Sequence, residues 1–386
     1  MSTSIRRVPR FTALAVGLAT AAVLALVPAS PATAAVTLTA APAGAGTTCS
    51  ATSPCSVVTA LSRARAGDTV VLFGGAYGTP SLTGTGGTTT APVRVRPAAG
   101  AVASFTKLQT SVPNVSWTGV TVTQLLYVYP AAVNTVVDGF TFAKAGSFLR
   151  GNGTVVRNST FSGGVDLDAV QIKDATGVTL ENNVIRDYRL SSGSSTAHVD
   201  CVQVFDAKQV RIVRNTFANC SNAGVILSPG AGLGIQGIEI SGNFIQGCVT
   251  VSTTCKGGSA LDVREASATG VVVRNNSIVD GATRVVPRTG LVFDRNVVSF
   301  LADCTAPMTR SVVETWNTGV CATPARLGVD GNRQGAVAFR DRAAGDLHVV
   351  DTVSFTIDPL GVLTTLSAVA GRDGVVLLTT TAGADD

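Results

Sequence analysis

Apolar and polar residues alternate along this chain in short runs, and the runs recur. VTLENNVI (178–185), VRIVRNTF (210–217), IEISGNFI (238–245), VVVRNNSI (271–278) and LVFDRNVV (291–298) each close on an asparagine, one further residue and an apolar one. Looser copies precede them: VSWTGVTV (115–122), NTVVDGFTF (134–142) and GTVVRNSTF (153–161). The closing apolar residues are 20, 19, 24, 32, 28, 33 and 20 residues apart. A period of two within a run predicts a half-buried strand. A base period near 20 residues predicts one coil per repeat, with insertions as loops.

No helical periodicity of useful length separates the strands, which excludes the doubly wound α/β class. An all-β parallel solenoid satisfies the pattern: each coil pairs with the coils on either side, and Val, Ile and Phe stack inward. Only 5% of residues are aromatic and 41 are glycine, which suits a narrow core with many corners. Asn183, Asn215, Asn243, Asn276 and Asn296 hold the same place in their coils and should stack as a structural ladder. In SVVTALSRARAGDTVVLFGGAYGTP (56–80), Val57, Leu61 and Ala64 can share one face of a short capping helix, with Thr69 to Phe73 as the first strand. Residues 326–351 read as the closing coil, and VAGRDGVVLLTT (369–380) with VSFTIDPLGVLTTL (353–366) as a hairpin or extra strands.

AGDTVVLFGGAYG (66–78) after that helix, then TTTAPVRVRPAAG (88–100), resembles the start of secreted right-handed parallel β-helix proteins of the pectate-lyase-like superfamily. FRDRAAGDLHVVD (339–351) resembles a degraded form of their closing segment. The resemblance implies a single-stranded right-handed parallel β-helix acting on polysaccharides. That superfamily also contains hydrolases, epimerases and non-enzymes.

The opening residues change the charge argument. Arg6, Arg7 and Arg10 precede an apolar run from Phe11 to about Val27 and a small-residue segment ending Ala32-Thr33-Ala34. This is the layout of a secretory signal peptide cleaved before Ala35, preferred over a retained membrane anchor because the run is short for a span. The expected divisions are a signal peptide (1–34), an N-terminal segment and cap (35–68), the β-helix (69–350) and C-terminal strands and tail (351–386). Three of the 29 basic residues lie in the leader, leaving 26 against 24 acids. No basic run remains to mark a nucleic-acid partner. The mature protein is expected to be an extracellular monomer, free of the membrane once the signal is removed.

Eight cysteines in an exported chain read as disulfides, and CxxC spacing for zinc is absent. Close spacing suggests Cys49–Cys55, Cys248–Cys255 and Cys304–Cys321, which leaves Cys201 with Cys220.

The candidate chemistry lies in two runs in register. DAVQIKD (168–174) and HVDCVQVF (198–205) are offset by 32 residues at Asp168 and Asp200, as are Asn183 and Asn215. Gly224–Leu227 and Ala260–Val263 continue the same face. Alternation places Gln171, Lys173, Gln203, Asp262 and Arg264 outward, with Asp168, His198 and Asp200 at the corner before the strands. Arg186, Tyr188 and Arg189 lie on a segment that could overhang that wall.

A polysaccharide lyase needs a cation or amide to neutralise a uronate carboxylate, a base for the proton beside it and a donor for the leaving oxygen. His198, Lys173 and Arg264 are the candidate catalytic residues, with Tyr188 as a further base. Gln171, Gln203, Asp262, Arg186, Tyr188 and Arg189 are candidates for substrate contact, and Asp168 and Asp200 for Ca²⁺. The expected partner is an acidic polysaccharide. Polygalacturonase-like hydrolases would need an Asp-Asp pair and Gly-His-Gly, yet the sole Asp-Asp is Asp385-Asp386 and His198 lies in AHV. Mannuronan epimerases would need Asp-Pro-His-Glu, and Asp358-Pro359 continues Leu-Gly. The remaining alternative is a non-catalytic glycan-binding or structural β-helix.

Overall fold

The computed structural model describes residues 34–230, 232–349, 368–370 and 376–378. The leader and residues 351–367 lie outside the described residues. From Ala35 onward the protein is one unit.

Each coil contributes a strand to up to three faces. The first face is a parallel sheet of twelve strands running from Thr37–Ala40 to Met308–Thr309. It begins one coil earlier than the expected first strand, because Thr37–Ala40 pairs in register with Thr69–Leu72. One buried column threads it: Val70, Val95, Trp117, Val137, Val156, Leu180, Ile212, Ile240, Val273, Phe293 and Met308 stack coil on coil. The partner side chain at each rung is therefore another apolar one, which is how a narrow core excludes water without helices.

The chain leaves the first face through a corner of left-handed backbone. Gly119, Gly139, Asn158, Asn182, Arg214, Gly242, Asn275, Arg295 and Arg310 have φ between 46° and 66° there. Asparagine and glycine tolerate this geometry best. The next residue turns inward, and it is the expected ladder. Asn183 donates to Asn215 Oδ1 (3.0 Å), Asn215 to Asn243 (3.1 Å), Asn243 to Asn276 (3.0 Å) and Asn276 to Asn296 (2.9 Å). Each side-chain oxygen also accepts the backbone N–H of the ladder residue one coil back. The ladder runs further than the asparagine pattern showed, since Ser159 begins it and Ser311 and Asn332 continue it.

The second face carries Thr141–Ala143, Thr160–Ser162, Val184–Tyr188, Thr216–Cys220, Phe244–Gln246, Ser277–Val279, Val297–Leu301 and Val312–Trp316. The third carries Gly146–Leu149, Val170–Lys173, Asp200–Phe205, Ala223–Ser228, Ser259–Asp262 and Ala282–Arg284. Thr121–Val128 bends through both, pairing with Thr141–Phe142 and with Gly146–Leu149. All four expected disulfides are formed.

The N-terminal helix, Val57–Arg63, is capped by Ser56 Oγ accepting from Thr59 N (3.1 Å), and Val57, Leu61 and Ala64 are buried as expected. At the other end the antiparallel hairpin Phe339–Asp341/Asp346–Val349 folds back over the second face. Leu347 packs on Phe244 and Val279, Ser277 Oγ donates to Leu347 O (3.1 Å), and Arg342 pairs with Asp280 and Glu314. This is why Phe244, Ile245 and Gln246 are all buried despite alternating in and out. Ala368–Ala370 and Val376–Leu378 form a separate antiparallel pair.

Candidate active site

The third face points the expected residues outward, but Gln203 and Asp262 among them are buried. Gln109, Tyr127, Phe148, Gln171, Gln203, Ile226, Asp262 and Arg284 form one outward column, paired rung by rung. Val170, Ile172, Val202, Val204, Val225, Leu227, Leu261 and Val263 face the core. Gln203 donates to Ser228 Oγ (3.0 Å), one coil on.

Asp168, His198 and Asp200 sit together at the corner before the strands. Asp168 Oδ1 accepts the Asp200 backbone N–H at 2.8 Å. Asp200 is fully buried, and its Oδ1 accepts from Asn222 Nδ2 at 2.7 Å. The same Asn222 amide lies 3.5 Å from His198 Nδ1. Asp200 Oδ2 is buried with no hydrogen-bond partner. Burial, with the Asp168 charge beside it, pushes the Asp200 carboxyl up to about 7, and burial raises Asp168 as well.

A carboxyl raised in the folded state holds its proton above the unfolded value, so stability falls as pH climbs from about 4 towards about 7. Asp200→Asn keeps an oxygen for Asn222 and carries no charge. The variant should melt above the parent at pH 8, by an amount on the order of a few kcal/mol, and should gain nothing at pH 4. Thermal melts at both pH values check this, and an equal shift at both would remove the carboxyl from the account.

His198 opens onto a pocket of about 310 Å³ lined also by Leu190, Ser195, Ser221, Asn222 and Lys256. Its walls are two insertions. Leu190 N donates to Thr254 O (2.9 Å), which ties the 190–197 loop to the loop closed by Cys248–Cys255. Lys256 follows that disulfide, with its backbone N–H on Ser221 Oγ (3.1 Å). Lys256 makes no ion pair among the described residues.

Lys173, Arg264 and His198 are not brought together. Lys173 pairs with Phe205, at the far end of the strand that begins at Asp200. Five residues of strand at ~3.3 Å each separate the two ends, so Lys173 and His198 occupy opposite edges of the face. Arg264 is bound to Asp262 through Nη2–Oδ2 (2.7 Å) and Nε–Oδ1 (3.0 Å), and that hydrogen bond, against partial burial, raises its pKa. It is a partner for Asp262 rather than a base, and Asp262 is correspondingly occupied.

Tyr188 is buried and does not overhang the wall. Its ring rests on Gly164, where an added Cβ would lie 2.2 Å from Cε1, and its hydroxyl donates to Ala145 O at 2.6 Å. Burial raises its pKa, which further disqualifies it as a base. Tyr188→Phe should cost about 1 kcal/mol of stability and leave any activity unchanged. Chemical denaturation beside a rate measurement separates the two effects. Arg186 and Arg189 both pair with Asp187 at the surface, at 2.8 and 3.6 Å.

Asp168 and Asp200, the expected calcium ligands, meet at this corner. Asp168 Oδ1 and Asp200 Oδ1 each accept an N–H donor, and Asp200 Oδ2 is without a hydrogen-bond partner.

Asn222, Lys256 and Arg150 were not picked out from the sequence. Arg150 follows the strand Gly146–Leu149, one coil before Lys173, so the register that found Lys173 would have found it.

Residues 137–320 match the family described as right handed beta helix region. The chain folds as a right-handed parallel β-helix. A rhamnogalacturonan lyase structure is 13% identical and superposes with a TM-score of 0.55, covering 83% of this chain and 96% of its own. Pectate lyase Pel9A is 16% identical with a TM-score of 0.45, covering 92% and 96%. Among curated proteins, none matches the sequence.

Proposed function

We propose that this β-helix protein acts outside the cell and cleaves a uronate-bearing glycan by β-elimination at the His198 pocket. The observation that carries the reading is one pocket lined by His198, Asn222 and Lys256, with the buried Asp200 carboxyl and the partly buried Asp168 behind it. Lys256 and Asn222 would take the substrate carboxylate, whose neutralisation makes the adjacent C–H acidic. His198 would remove that proton. Its electron pair forms the new C=C bond, and the glycosidic C–O bond breaks. The leaving oxygen takes the proton back from the imidazolium. The fold shared with a rhamnogalacturonan lyase is consistent with this use, and four disulfides suit an oxidising exterior. No described helix is long and apolar enough to cross a membrane.

The test is ultraviolet absorbance of the unsaturated sugar end during incubation with alginate, pectate, rhamnogalacturonan, chondroitin sulfate, heparan sulfate and glucuronan, with calcium and with chelator. Absorbance on any polymer supports elimination and names the substrate. Silence on all of them, from folded protein, would leave a non-catalytic glycan-binding β-helix.

A further inference from the structure

Beyond the His198 pocket, the third face carries an aromatic patch that the mechanism does not use. Tyr127, on the strand Thr121–Val128, and Tyr129, just after it, stack with ring centroids 4.2 Å apart. Phe148, one coil on and in register with Tyr127, meets that ring edge-on at 5.7 Å. All three are only partly buried, on a wall whose other outward residues are largely polar or charged. Tyr129 is fixed by its hydroxyl, which donates to Gln109 Oε1 at 3.1 Å. Rigid, partly exposed rings on a concave or flat wall are costly to leave in water and mark binding surfaces.

Arg150 gives the patch its chemistry. Its guanidinium lies 5.3 Å above the Phe148 ring and donates to Gln171 O (3.1 Å) and to Gln171 Oε1. Both acceptors are neutral. No carboxylate lies within ion-pair distance among the described residues, whereas Arg264, Arg310 and Arg342 each hold an aspartate. Burial pulls the Arg150 pKa down, yet arginine stays charged in proteins. The Tyr127 hydroxyl and the more distant Asp174 charge act on it in the opposite direction, but Asp174 makes no ion pair with it, so the half-desolvated guanidinium can still take an anion that arrives from outside.

We infer that Tyr127, Tyr129, Phe148 and Arg150 form a second glycan site, in which a pyranose ring lies on the aromatic faces and its carboxylate meets Arg150. The inference rests on the reading of the substrate as an acidic glycan. Phe148 is two coils from Gln203, and Gln203 lies five residues from His198. At ~4.8 Å per coil and ~3.3 Å per residue the two sites are roughly 20 Å apart. One polymer chain would therefore cross the face from the patch to the pocket, and a disaccharide would not reach both.

The probes are hexasaccharides and disaccharides of galacturonate, mannuronate, guluronate and glucuronate, with cellohexaose as the neutral control. They are titrated calorimetrically into the full chain carrying His198→Ala, so that nothing is cleaved. At least one acidic hexamer should bind at least tenfold more tightly than cellohexaose. Adding Arg150→Gln should weaken that hexamer at least tenfold, and Tyr127→Ala should weaken it by a similar factor, with melting temperatures unchanged. Binding of the acidic hexamer that is indifferent to both substitutions, or equal to that of cellohexaose, would overturn the inference while leaving elimination at His198 intact. Sensitivity to Arg150→Gln with no unsaturated product from any polymer would leave the inference standing and sink the lyase reading. No binding by any acidic hexamer would overturn the second site outright.

Discussion

His198→Ala is expected to lower the rate of unsaturated-end formation by about 10²–10⁴-fold, the usual worth of a positioned general base. The imidazole is the one group of the corner that is both exposed to the pocket and able to take a proton there. Asp200 is fully buried, and Tyr188 and Arg264 are removed by burial and by ion pairing. Glycan affinity should be retained in His198→Ala, because Lys256 and Asn222 still meet the carboxylate. Lys256→Ala should instead lower both affinity and rate, since it loses the cation in the ground state and the transition state alike. The decisive comparison is with Lys173→Ala, at the opposite edge of the same face. If Lys173→Ala abolished the absorbance change and His198→Ala spared it, the chemistry would belong to the other edge.

Asn243→Ala should be among the most destabilising single changes in the protein. Asn243 is fully buried in the ladder. Its Oδ1 accepts Asn215 N (2.8 Å) and Asn215 Nδ2 (3.1 Å), and its Nδ2 donates to Ile212 O (2.8 Å) and Asn276 Oδ1 (3.0 Å). Alanine leaves the Asn215 N–H and the Ile212 carbonyl buried without these partners. Each stranded group costs about 1–3 kcal/mol, so the sum is about 4 kcal/mol. A fall in melting temperature of at least about 5 °C follows for a chain of this size. Calorimetry checks it, and a shift under about 1 °C would show that water or a shifted corner replaces the lost bonds.

The two predictions draw on different layers of information. The ladder position of Asn243 is legible in the repeat, because a solenoid corner recurs at the same place in each coil and its side-chain direction is set locally by strand alternation. The outward setting of Gln171, Gln203 and Asp262 and the register of Asp168 with Asp200 are legible for the same reason. The close cysteine pairs are too, since short loops leave their partners little choice.

Tyr188 shows where that reasoning stops. Asp187 takes a left-handed φ of 61°, which shifts the phase of the strand and turns the next side chain inward. A sequence carries no sign of such a bend when the residue is not glycine. The length of the insertion before Lys256 was visible, but not that its disulfide loop would lean on residues 190–197 and bring Lys256 into the wall of the His198 pocket. Nor did the 339–349 segment announce which face it would cover.

The sequence alone therefore determined the coil, its inward column, its ladder and the wall on which polar residues stand, because these follow from nearest-neighbour periodicity. The tertiary structure alone decided which polar residues meet. It separated Lys173 from His198, neutralised Arg264, buried Tyr188 and assembled the His198–Asn222–Lys256 pocket, because contacts between loops of different coils depend on distances that no local pattern records.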